Sequence, residues 1–214
     1  METAVLALLA GKAISFARGE MSAIRKSPLA GEVRIGFLGI DGDEQADPRY
    51  HGGRDKAIHH YPSDHFAHWS DFLSLPLSAL SPGAFSGNIA TLGWLENDVC
   101  IGDRFRLGSA LVEISQGRQP CWIQGERFGS AKLPAAMVKE LRSGWYYRVI
   151  EEGRAEAGMP LRLVDRPLPD WSVARVFGLI VAGDHKGDRA ALRILARLDV
   201  LHVGWRERAR ALLD

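Results

Sequence analysis

Up to about residue 167, apolar positions fall in short runs or alternate with polar ones; beyond it they recur every three to four residues. The run AVLALL at 4–9, closed by Gly11, predicts a buried strand. At 32–40, EVRIGFLGI turns Val33, Ile35 and Phe37 to one side and stops at the turn signal Asp41-Gly42-Asp43. KAIHHY at 56–61 reads as extended. Pro62-Ser63-Asp64 then starts a helix on which Phe66, Trp69 and Leu73 share a face, and Pro76 and Pro82-Gly83 close the region. FRLGSALVEIS at 105–115 predicts a hairpin with Gly108-Ser109 at its tip, and the segments 144–153 and 159–167 a second strand pair. Short helices are expected near 121–127 and 134–142.

After Pro167 and Pro169 three amphipathic helical patterns follow, at 172–181, 188–198 and 204–213; in the first, Val173, Val176, Phe177 and Ile180 line one face. The pattern predicts an α+β protein: a mostly β body over 1–167 and a three-helix unit over 168–214. A unit that small is near the lower limit for folding alone and should dock on the body.

Composition changes this picture little. The 214 residues are 46% hydrophobic and 25% charged, with a net charge of +1. That balance excludes a surface built throughout for nucleic acid, while leaving room for a local basic pocket. Two cysteines, with no CxxC pair, are no disulfide scaffold and point to a reducing compartment. The amino terminus is apolar for only about eight residues and opens on an acid, so it reads as a strand and not a signal peptide. No stretch nears the ~18 apolar residues that span a bilayer. A cytoplasmic protein, with no membrane or nucleic-acid partner, is expected.

The candidate chemistry sits in two stretches. In Gly117-Arg118-Gln119-Pro120-Cys121-Trp122, Pro120 suits the first turn of a helix, where its missing N–H is harmless. A cysteine there meets the helix dipole and a nearby Arg, both favouring the thiolate that a nucleophile or soft-metal ligand needs. The alternative is a small buried apolar residue, the reading preferred for Cys100 between Val99 and Ile101. In the second stretch, 47–69, five of the seven histidines gather. His51-Gly52-Gly53-Arg54, with Arg49 and Lys56 nearby, can cradle an oxyanion or can simply turn the chain. It is neither a P-loop nor a GxGxxG. No HExxH or cysteine pair makes a zinc site; His65 and His68 share a helix face and read as surface or boundary residues. His59 and His60 point to opposite sides of their strand, so at most one faces any given pocket. Asn88 reaches a ligand or satisfies a loop backbone.

Together these pieces resemble the MOSC domain, named for the carboxy-terminal domain of molybdenum cofactor sulfurases. The pieces are His-Gly-Gly-x-Asp-Lys-Ala, a Gly-Asn-Ile strand, Arg-x-Pro-Cys and Gly-Trp-Tyr-x-Arg-Val. The MOSC part covers roughly 20–167, and the three-helix tail is similar to stand-alone YiiM-type bacterial proteins. The resemblance implies a β-barrel-like body and a pocket for molybdenum cofactor (molybdopterin), with Cys121 as catalytic residue and molybdenum ligand. His51, Gly52, Gly53, Arg54, Lys56, Asn88 and Arg118 would hold the cofactor in an electropositive hollow. The superfamily is also associated with pyridoxal phosphate. The implied activity is reduction of N-hydroxylated compounds such as 6-hydroxylaminopurine, a detoxification. Electrons would come from a separate reductase, since the chain has no flavin fingerprint or iron–sulfur cysteine set. The alternatives are a carrier of cofactor or of a persulfide on Cys121, without turnover, and a MOSC barrel that has lost its cofactor. One departure stands out: the family's Phe-Gly-Glu-Asn is here Phe85-Ser86-Gly87-Asn88, without the acid.

Overall fold

The computed structural model describes residues 1–47 and 52–214. Its centre is a nine-stranded mixed sheet curled into a half-barrel. In spatial order it runs β1 (Glu2–Ala4), β14 (Pro160–Asp165), β10 (Arg104–Leu107), β11 (Ala110–Gly117), β12 (Trp145–Glu151), β8 (Ile58–His60), β9 (Ile89–Ala90), β2 (Ala7–Ala10) and β5 (Ser27–Pro28). All neighbours are antiparallel except β8 and β9. The run expected as one strand at 4–9 is two, because the chain changes partner within it. The Val5 N–H donates to Met159 O at 3.0 Å and the Leu6 N–H to Ala90 O at 2.8 Å. Consecutive strands thus join opposite flanks of the sheet, which is what curls it.

The β10–β11 hairpin forms as its pattern predicts, with Leu107 opposite Ala110. The second expected pair does not. β12 and β14 lie on opposite sides of that hairpin, β12 against β11 and β14 against β10. Between them the chain leaves the sheet as β13 (Gly153–Ala155), which pairs with β6 (Val33–Gly36). β6 in turn forms a hairpin with β7 (Gly39–Ile40), so 32–40 is not one strand. Gly39, at φ +135, permits the reversal. A separate hairpin, β3 (Ile14–Ala17) with β4 (Glu20–Ser22), went unread in the sequence because its residues are largely exposed and lack alternation.

The helices are α1 (Phe66–Leu73), α2 (Trp122–Arg127), α3 (Leu133–Lys139), α4 (Val173–Phe177), α5 (Arg189–Leu195) and α6 (Val203–Ala211). α4 runs on as a π-helical turn, Gly178–Ala182. The last three are capped by side chains: Ser172 accepts from the Arg175 N–H, Asp188 from Ala191 and His202 from Gly204. Their apolar faces share one core with the sheet: Val173, Val176, Phe177, Leu192 and Trp205 belong to the same buried cluster as Phe105, Val112, Ile114 and Tyr147. A smaller core, with Tyr61, Trp69, Phe85, Leu133 and Met137, lies under α1 and α3. Among the described residues no helix is long and apolar enough to cross a membrane.

Candidate functional site

A cavity of about 600 Å³ opens at one end of the sheet, bounded by the segments 20–26, 43–47 and 116–123 and by side chains from β8, β12 and α6. It gathers Lys56, Asn88, Arg118 and Cys121, which the sequence nominated. It also takes in residues the sequence did not nominate, among them Lys26, Asp43, His59, Tyr146 and Trp205.

The loop carrying Cys121 is pinned at its start. As β11 ends, the Arg118 N–H donates to Gly144 O at 2.9 Å, and the Ser143 hydroxyl donates to Arg118 O. Cys121 is itself the N-cap of α2, extended at φ −114, ψ 171. Pro120 therefore stands before the helix and not in its first turn, two residues ahead of the first helical position. Cys121 is partly accessible, whereas Cys100 is 3% exposed and its thiol donates to Pro169 O at 3.5 Å.

Arg118 is 4% exposed, and its Nη1 meets no hydrogen-bond partner among the described residues. Its charge is felt by His59 and Tyr146, which line the same cavity. Burial holds the His59 imidazole well below its usual range, and the Arg118 guanidinium pushes it the same way. Burial raises the Tyr146 hydroxyl, which Arg118 partly offsets. The alternation of β12 explains Tyr146: Trp145, Tyr147 and Val149 fill the core, leaving Tyr146 and Arg148 on the other face. Arg148 binds Asp55 at 2.7 Å and Glu113 at 2.9 Å. That pair holds the 3₁₀ turn Arg54–Lys56 against the sheet and brings Lys56 to the cavity wall.

Asn88 is already committed. Its Nδ2 donates to Leu9 O at 3.1 Å and to Asp43 Oδ2 at 2.8 Å, and its Oδ1 accepts from the His59 N–H at 3.0 Å. Asp43 Oδ1 also accepts from the Gly11 N–H at 2.8 Å and from Lys26 Nζ at 2.5 Å. The Lys26–Asp43 pair is nearly sealed, with side chains 7% and 6% exposed. Burial lowers Lys26, and the pairing with Asp43 opposes that. A carboxylate thus stands beside Asn88 after all, supplied by the turn after β7 and not by the 86–87 segment. The sequence marked 41–43 only as a turn, because the fold alone brings them to Asn88.

Other nominated residues lie elsewhere. Arg54 is exposed and stacks over Phe37 at 4.6 Å, away from the cavity; Gly52 and Gly53 do not line it either. His51 and Arg49 fall outside the described residues. The cavity is also less basic than expected: Glu20, Asp43, Glu44 and Asp47 line it alongside Lys26, Lys56 and Arg118. Glu44 is paired with Lys12 at 2.9 Å, as Asp43 is with Lys26.

The histidines divide as strand alternation requires. His59 lines the cavity, while His60 is buried between the Tyr147 hydroxyl at 3.1 Å and Thr91 Oγ1 at 2.9 Å. The surface reading of His65 is corrected: it is 3% exposed and meets Glu96 Oε2 at 2.8 Å, while Glu96 Oε1 accepts the Gly144 N–H at 2.7 Å. Glu96, distant in sequence, is the hydrogen-bond partner that permits burial. His68, half-buried, meets Glu140 at 2.5 Å. Among the described residues no group of three His, Cys, Asp or Glu could hold a metal ion.

The sequence of the MOSC domain family matches residues 47–162. Protein YiiM of Escherichia coli (strain K12) is 38% identical over 156 residues, 73% of this chain and 70% of that protein. A longer protein of Gibberella moniliformis (strain M3125 / FGSC 7600), named Reductase, is 35% identical over 162 residues, 75% of this chain but 29% of its own length. The crystal structure of YiiM from Geobacillus stearothermophilus superposes with a TM-score of 0.83 at 33% identity, covering 99% of this chain and 100% of that one.

Proposed function

The chain belongs to the MOSC domain family, and from that premise we propose that its cavity binds molybdenum cofactor, with Cys121 as the metal's ligand, and reduces N-hydroxylated compounds such as 6-hydroxylaminopurine. One observation carries the reading. A partly accessible thiol shares a cavity with a buried guanidinium whose Nη1 has no partner among the described residues. A soft sulfur donor suits molybdenum as it suits other thiophilic metals. A buried, unfilled Arg donor calls for an anion, and a pterin phosphate is one.

Cys121 would hold the metal. Arg118, Lys26 and Lys56 would hold the anionic part, Lys26 with donors beyond the one given to Asp43. Asn88, its amide N–H groups already used, acts by fixing Asp43 and β8. The acids of the lining suit the amino groups of a pterin or purine better than its phosphate. When bound, the cofactor supplies the two electrons that cleave the N–O bond. With two protons the products balance as the amine and water, so 6-hydroxylaminopurine yields adenine. The chain's own aromatic and cationic groups orient the substrate and limit water. A separate reductase supplies the electrons. The Gibberella moniliformis protein named Reductase, of which this chain spans only 29%, favours a redox setting for the domain.

The test is the purified chain, loaded with cofactor and given a chemical reductant. Conversion of 6-hydroxylaminopurine to adenine is expected, and an unchanged substrate refutes the reading. A persulfide on Cys121 by mass spectrometry, with no metal and no turnover, would establish the carrier instead.

A further inference from the structure

The carboxy-terminal helices have no role in the chemistry above, yet one of them reaches the cavity. Trp205, in the first turn of α6, lines it beside Gln116, Gln119, Cys121 and Tyr146 and is 7% exposed. The indole lies on the end of β11. A Cβ built at Gly117 would meet Trp205 Cη2 at 3.1 Å and Phe177 Cδ2 at 2.9 Å, so glycine there lets the ring close onto the strand. Three residues along the same face of α6, Arg208 Nη1 donates to Gln119 Oε1 at 3.0 Å. The two contacts hold Gly117 and Gln119, in the segment that leads into Cys121. From Gly117 to Cys121 extended chain spans at most about 14 Å, so ring and thiol serve one cavity.

A second observation points to a ligand. Gln116, next to Gly117, is 3% exposed and lines the same cavity. Its Nε2 donates to Gly117 O at 3.2 Å, but its Oε1 is buried and meets no donor among the described residues. A buried amide oxygen left without a donor costs free energy unless something in the cavity supplies an N–H.

We infer that Trp205 and Gln116 form a subsite for a planar nitrogen heterocycle, the ring stacking on the indole and an N–H of the heterocycle donating to Gln116 Oε1. The carboxy-terminal helices then set which N-hydroxylated compounds are taken, favouring flat bases over small aliphatic ones. The inference rests on the function proposed above for its substrate class, but its test does not need turnover. The cofactor-loaded chain, without reductant, is titrated with 6-hydroxylaminopurine in a calorimeter. Trp205→Ala and Gln116→Met should each weaken binding about tenfold, and Trp205→Phe should restore most of it. Binding of N-hydroxyurea, which has no ring, should weaken by less than about threefold in all three. Unaltered purine binding in Trp205→Ala and Gln116→Met overturns the subsite, as does an equal loss with both compounds. Should Trp205→Ala not fold, Trp205→Phe and Gln116→Met decide alone: tight binding in Gln116→Met sinks the proposal. Purine binding that follows this pattern without any reduction would keep the subsite and refute only the reductase.

Discussion

Neither Cys100 nor Cys121 is in a disulfide, and one substitution at each separates packing from chemistry. Cys121→Ala is expected to abolish reduction of 6-hydroxylaminopurine while shifting urea-unfolding stability by no more than about 1 kcal/mol, because the side chain is only partly buried. Cys100→Ala is expected to leave turnover intact and to cost roughly 1 kcal/mol of packing. His60 gives a pH test. Burial lowers it from an ordinary value of 6.5 to about 3, so the folded state keeps it neutral. Below the unfolded-state value of about 6.5, the unfolded chain takes up a proton that the folded chain refuses. The stabilising contribution is therefore complete above pH ~6.5 and is lost as pH falls toward 3, by up to ~1.4 kcal/mol per pH unit. Urea melts at pH 7.5, 6 and 5 should show that slope, and His60→Gln should flatten it. An unchanged slope would mean that His60 is not what titrates. At this scale the sequence showed that His59 and His60 must part, but not that Glu96 waits for His65. A hydrogen-bond partner from a distant loop leaves no local signature.

Among the elements, β12 does the most to assemble the site. Its alternation sends Trp145 and Tyr147 to the core and Tyr146 to the cavity. Gly144, just before it, holds the loops on both sides: its carbonyl accepts from Arg118 and its N–H donates to Glu96. Gly144 sits at φ +75, and a Cβ there would lie 2.1 Å from His60 O. Gly144→Ala is accordingly expected to cost more than about 2 kcal/mol in thermal or urea unfolding, and to loosen Arg118 with it. A loss under 0.5 kcal/mol would show that the turn can relax. The hairpin of β10 and β11 was legible because its tip and flanking alternation are local. The partners of β12 and β14 were not, since two strands close in sequence can be separated by a hairpin that precedes them both.

For the molecule as a whole, the carboxy-terminal helices share one apolar cluster with the sheet, and α6 contributes Trp205 to the cavity. A chain ending at residue 167 is expected to lose cooperative unfolding, because Val112 and Ile114 would lose apolar cover from Val173, Val176 and Phe177. A sharp urea transition in that fragment, followed by circular dichroism, would show that the sheet stands alone. The sequence by itself determined the α+β class, the change from strands to helices after Pro167, and the Arg-x-Pro-Cys segment that lines the cavity. Each of these is written in periodicity or in neighbouring residues. Only the tertiary structure decided that Asp43 meets Asn88, that Lys26 and Trp205 line the cavity, and that Arg54 turns away to Phe37. Those placements follow from how the sheet curls when the chain between β1 and β2 changes partner. Such closure depends on residues more than a hundred positions apart, which no local pattern records.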